Sequence, residues 1–470
     1  MSIMKTLKKL SLLIIALVLF WSCTSDDDNS TSFNLPQPMN IVETAQANAD
    51  LSSLVAAVVE ADLAATLSTG GPFTVLAPTN AAFSEFMSAN GWANVTDIPD
   101  EALVQVLLNH VISGPVTSTT LSNLGAGYTN TLATGAGGNN MSLYFDTSAN
   151  VKFNNLASVT NPDIGATNGL IHIIDKVITL PSVVDHAVNN PGFSNLVAAL
   201  GAADGDLVNV LSGDGPYTVL APGDAAFANF LTENSFGSLA DVPTDVLSQV
   251  LLNHVIGAPI TSTDLTGLGN GYANTSAMGA GNNAMSIYYN TDSGVKFNGI
   301  SNVVAVDIIG TNGIIHAVDA VISLPTVVDF AVADPNFSSL VAALTRETSF
   351  NYVATLSTAN GTSPAPFTVF APTNAAFGSL LNELSLNSLI DVPTPTLEST
   401  LNTHVVAGAN VRDSGLSDNM PINTLGGTLT ANVTGGATLT DPNNRISNIT
   451  YTNVQAVNGI IHVIDKVLLE

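Results

Sequence analysis

Phe73-Thr74-Val75-Leu76-Ala77-Pro78-Thr79-Asn80-Ala81-Ala82-Phe83 opens on a β-branched, apolar run, halts at proline and resumes as Ala-Ala-Phe. That order predicts a buried strand turning a corner into a helix capped by Asn80. The stretch recurs as Tyr217–Phe227, with Asp224 at the capping position, and as Phe367–Phe377, with Asn374 there. Pro78, Pro222 and Pro372 lie a whole domain apart, far beyond the roughly 20–50 residues of a solenoid repeat. The chain therefore reads as tandem domains, each with its own core, and 470 residues is too long for one.

Two further blocks keep step with the first. Asn109-His110-Val111 returns as Asn253-His254-Val255 and Thr403-His404-Val405. Asn168-Gly169-Leu170-Ile171-His172-Ile173-Ile174-Asp175 returns at Asn312–Asp319, with His316, and at Asn458–Asp465, with His462. Six of the seven histidines thus occupy two repeated positions, and only His186 stands apart.

Around these blocks the periodicity is helical, then extended. Leu51, Leu54, Val55 and Val58 fall at i, i+3, i+4, i+7, as do Phe193, Leu196, Val197, Leu200 and Phe337, Leu340, Val341, Leu344. Each repeat should open with a helix, and Asn190-Pro191 and Asp334-Pro335 suit its start. A second helix is expected over Pro99–His110, where Leu103, Val106, Leu107 and His110 share one face. There the imidazole of His110, His254 or His404 could bond the free carbonyls of the last turn. Asn168-Gly169 signals a tight turn into a strand, and runs such as Met141–Phe145 complete what reads as one antiparallel sheet. Each repeat is expected to be α+β.

These blocks identify the chain as similar to the fasciclin (FAS1) family. Thr-Val-Leu-Ala-Pro-Thr-Asn-Ala-Ala-Phe resembles one family signature, Asn-Gly-Ile-Ile-His-Val-Ile-Asp the other, and Asn-His-Val stands at the family's central Tyr-His position. The resemblance implies a β-wedge or sandwich with helices packed at one end, in domains spanning 39–180, 181–325 and 326–470. It also implies an extracellular adhesion protein rather than an enzyme. Asn109, Asn253 and Thr403 replace the tyrosine of integrin-binding members, so integrin binding does not carry over.

The amino terminus adds a location. Lys5, Lys8 and Lys9 precede an apolar run from Leu10 to Trp21, a signal too short to span the roughly 30 Å hydrocarbon core. Residues 1–22 then form a signal peptide. Cys23, the sole cysteine, resembles the lipid-modified first residue of a bacterial lipoprotein; the alternative is a plain signal with an incidental cysteine. Residues 23–38 read as a polar acidic linker. Together these predict export, a lipid anchor in the outer membrane and exposure at the cell surface.

Composition narrows the chemistry. The chain is 46% hydrophobic and 10% charged, so it should fold rather than stay disordered. Its net charge of −27 repels nucleic acid. Repeated histidines invite a metal reading, but they sit on different elements without an evident third ligand, which favours core or capping histidines and no cofactor. No nucleophile elbow, phosphate loop or metalloprotease motif is present. Tyr128 and Tyr272 recur in what read as Gly-rich loops and are absent from the third repeat, which favours contact with a protein or surface over a dedicated glycan site. The leading expectation is a tethered adhesion module with three weak contacts to a cell-surface or matrix protein or polysaccharide. A small-ligand-binding lipoprotein serving a transporter is the alternative.

Overall fold

The computed structural model describes residues 38–470. Cys23, the signal segment and all but the last residue of the linker lie outside the described residues. No single helix among the described residues is long and apolar enough to cross a membrane.

Each repeat folds around one pair of strands distant in sequence. Phe73–Pro78 runs parallel to Gly169–Ile174, in register from Phe73 opposite Gly169 to Pro78 opposite Ile174. Tyr217–Pro222 pairs in the same way with Gly313–Val318, and Phe367–Pro372 with Gly459–Ile464. The sheet is therefore mixed, not wholly antiparallel as the alternating runs suggested. Both strands of the central pair are covered on two faces, so they read as continuous apolar runs, as parallel strands do. The paired backbones come close enough that a Cβ on Gly169, Gly313 or Gly459 would meet the carbonyl oxygen of Phe73, Tyr217 or Phe367 at 2.0, 2.6 or 2.4 Å. That approach explains the glycine after each asparagine.

Alternation along the central strands divides every domain into two cores. In the first domain Val75, Ala77, Ile171 and Ile173 face the helices, where they meet Leu54, Phe83, Leu103 and Leu107. Leu76 and Ile174 face the opposite way, into a cluster with Leu143 and Phe153. The remaining strands are antiparallel and wrap this inner cluster; in the first domain they close a seven-stranded barrel, while the second and third have seven-stranded sheets.

The helical end forms where the periodicity places it. A 3-10 turn at Ala49–Leu51 leads into the helix Ser52–Glu60, with counterparts Ser194–Ala202 and Ser338–Leu344. The Asn190 and Asp334 side chains cap the short turns Pro191–Phe193 and Pro335–Phe337 just before these helices. Asn80, Asp224 and Asn374 are not the caps of their own helices. Thr79 and Thr373 cap the helices Asn80–Ala89 and Asn374–Glu383, and Gly223 occupies that place in the second domain without a side-chain bond. Asn80 Oδ1 instead accepts from the Ser53 N–H, Asp224 Oδ1 from Asn195 and Asn374 Oδ1 from Ser339, each at 2.8 Å. A side chain one residue inside its own helix is placed to satisfy the free N–H groups of the neighbouring one.

Candidate functional site

The first repeated histidine lies at the carboxyl end of the helix Asp100–Leu108, immediately before the strand Val111–Ser113. His110 Nδ1–H donates to the Val106 carbonyl at 2.7 Å, and the Ile178 N–H donates to its Nε2 at 2.9 Å. His254 bonds Val250 and Ile322 at the same distances, and His404 bonds Thr400 at 2.7 Å and Leu468 at 3.0 Å. Burial holds all three near pKa 4, against an ordinary value of 6.5. These rings are neutral at pH 7, and a backbone group occupies each nitrogen. No lone pair is left for a metal or for proton transfer.

The second histidine ties the closing strand to a connection on the far side of the sheet. Nε2–H of His172, His316 and His462 donates to the carbonyls of Val116, Ile260 and Val411 at 2.8–2.9 Å. Nδ1 of His172 and His316 accepts from the N–H of Asp163 and Asp307. His462 Nδ1 has no partner, and burial lowers the pKa of His316 and of His462. The two histidine sets do not converge, and no group of three His, Cys, Asp or Glu side chains among the described residues could hold a metal.

The asparagine opening the third block does more than form a turn. Asn168 Oδ1 accepts from the Ile41 N–H at 2.9 Å, while Nδ2 donates to the carbonyls of Leu67 and Gly70 at 2.8 and 2.9 Å. Asn312 joins Val183, Leu211 and Gly213, and Asn458 joins Val327, Leu356 and Thr358. One amide thus clamps two helical segments to the sheet. Its recurrence at the same place in every repeat was the available signal; the turn reading concealed it.

Tyr128 and Tyr272 face the next domain of their own chain rather than an outside partner. Tyr128 packs on Tyr144 and His186, with ring centroids 5.2 and 5.6 Å apart, and its hydroxyl accepts from Asn190 at 3.1 Å. Tyr272 packs on Tyr288 and Phe330, and its hydroxyl donates to Asp334 at 2.9 Å. Burial raises both phenol pKa values. Further hydrogen bonds that each engage a backbone group close the junction around each tyrosine. The Ala136 N–H donates to the Gly310 carbonyl at 2.9 Å, and the Ile309 N–H donates to Ser142 Oγ. At the second junction the Gln455 N–H donates to Ser286 Oγ, and Asn410 Nδ2 to the Ala280 carbonyl. His186, outside the repeated positions, is a junction residue: buried, near pKa 4, with Nε2–H donating to the Ile309 carbonyl.

Each of the two junctions has one such tyrosine. Strand register places Pro421 and Thr430 of the third domain where Tyr128 and Tyr144 stand in the first, and the intervening turn shortens to Thr424–Gly427. In the first domain Gly165 occupies the position that Ile309 holds in the second.

The fasciclin domain model matches residues 49–181, 191–325 and 335–470. The chain belongs to the fasciclin family. Before the first matched residue, Asn40 caps the helix Ile41–Gln46, which Asn168 holds through the Ile41 N–H. Among curated relatives, Protein sll1483 of Synechocystis is 38% identical over 143 residues, 30% of this chain and 74% of that protein. Pig transforming growth factor-beta-induced protein ig-h3 is 27% identical over 91% of this chain and 57% of its own length. Human periostin is 29% identical over 48% of this chain, which spans 25% of periostin. A solved FAS1 domain pair from the insect cell adhesion molecule fasciclin I aligns with 58% of this chain and 94% of its own, at 19% identity and a TM-score of 0.35.

Proposed function

We propose that this protein is an adhesion lipoprotein, exported and anchored through Cys23 to the outer membrane. It presents fasciclin domains 39–180, 181–325 and 326–470 outward to a cell-surface or matrix protein or polysaccharide. The observation that carries this reading is the repetition itself: three domains of a family with adhesion members, joined through specific junctions. Fixed spacing lets weak contacts act together, because once one domain binds, its neighbours are held at high effective concentration. We assign no catalytic role. The six motif histidines are structural in this reading, and nucleic acid is not a partner of so acidic a chain.

The test compares attachment of cells carrying the chain, its Cys23→Ser variant, or no copy, both to one another and to matrix-coated surfaces. Attachment should require the native chain, and Cys23→Ser should release the protein from membranes. Equal attachment in all three strains would refute adhesion, and unchanged membrane fractionation of the variant would refute the anchor. Protease or glycosidase treatment of the target surface then separates a protein partner from a polysaccharide.

A further inference from the structure

Each domain has an apolar cavity at the same place, between its opening helices and the central strand pair, with the buried histidine His110, His254 or His404 in its wall. The cavities differ in size. Those of the first and second domains measure about 30 and 20 Å³, room for little more than one water; that of the third measures about 190 Å³. A difference in the chain accompanies the difference in volume. Residues 61–63 and 203–206 connect the wall helices in the first two domains, whereas 345–351 do so in the third, after a shorter helix that ends at Leu344. Val353 and Leu356 of the helix Tyr352–Leu356, which follows the longer connection, stand in the wall of the larger cavity.

We propose that this third cavity binds a hydrocarbon group of roughly the size of toluene, supplied either by a free apolar molecule or by the end of an acyl chain. Its volume exceeds the about 150 Å³ of an engineered apolar cavity that stays dry and accepts benzene. Ala331, Leu340, Val369, Leu401 and Ile461 line the interior, and the wall reaches solvent at Val332 and Val353, which are 65% and 42% exposed. The polar side chains in the wall are already engaged: both His404 nitrogens are bonded to backbone, and the Thr345 hydroxyl donates to the Val341 carbonyl at 2.8 Å. Recognition therefore rests on shape and apolar contact. An empty void of this size costs the fold stability in proportion to its volume. The first two domains have nearly closed the same space. The site gives the small-ligand reading a place in the molecule and stands or falls separately from adhesion.

The experiment is equilibrium dialysis of the whole exported protein against labelled toluene and labelled octanoate, with the Ala331→Leu variant alongside. One saturable toluene site per chain is expected, weakened at least tenfold by Ala331→Leu. Octanoate competing for that site identifies an acyl chain end as the natural occupant; toluene bound without competition identifies a compact free molecule. Absence of saturable binding by either probe, or binding unchanged in Ala331→Leu, would overturn the proposal. Should the variant fail to fold, crystals of the native protein soaked in bromobenzene decide the matter. Bromine density between Ala331 and His404 supports the site, and its absence there refutes it.

Discussion

His110, His254 and His404 each join a helix end to the chain that follows the closing strand, and this makes them sensitive to acid. Their folded pKa is near 4 because burial penalises the charged ring, whereas the unfolded chain titrates near 6.5. Between those values the unfolded state binds protons that the folded state refuses, so stability is full above about pH 6.5 and falls as pH drops toward 4. Each histidine accounts for at most about 3 kcal/mol of that loss. Urea midpoints from pH 7 to 4.5 should show it, and His254→Asn should make the decline shallower by one histidine's share. His254→Ala at pH 7 leaves a buried carbonyl and a buried N–H without partners, a cost of about 1–3 kcal/mol. Added zinc should not shift the midpoint of the native protein. The apolar periodicity of the helix placed these rings on a buried face; their second bond, to a backbone N–H 64 to 68 residues later, carries no local pattern and was invisible in the sequence.

At the level of helices and strands, Asn312 shows how one side chain fixes the relation of several elements. Asn312→Ala should destabilise the second domain by about 2–4 kcal/mol, since it leaves one donor and two acceptors unpaired in a buried site. Asn312→Asp should cost more, because it keeps the acceptor for Val183 but turns a second oxygen toward two carbonyls. Thermal melts of both variants against the native protein test the order; an Asp variant as stable as the native chain would contradict the clamp. The strand-to-helix corner and the opening helices were legible because each is set by residues within about one turn. Parallel pairing was not, since Phe73 and Gly169 meet across most of a domain. Local pattern likewise suggests that Asn80 caps its own helix, whereas tertiary packing gives its oxygen to Ser53.

Across the whole molecule the junctions decide whether three domains behave as one. A Cβ on Gly279 would meet the Ala456 carbonyl oxygen at 2.3 Å, and one on Gly135 the Gly310 oxygen at 2.7 Å, so the backbones touch where glycine stands. Gly279→Ala should part the second and third domains, and a merged calorimetric transition should resolve into two. A single unchanged transition would mean that the junction carries no coupling. Tyr128 and Tyr272 were visible in the sequence as a motif present twice among three repeats; the reason, two junctions among three domains, needed the structure. The second domain makes both halves of the junction, the Asn190 side toward the first domain and the Tyr272 side toward the third. An in-frame duplication of its coding segment would give every new copy a fitting neighbour before and after it. Duplication of the third would instead set Pro421 and Thr430 against a surface shaped for tyrosine. Lengthening of this gene by unequal recombination should therefore proceed from the segment that encodes its second domain.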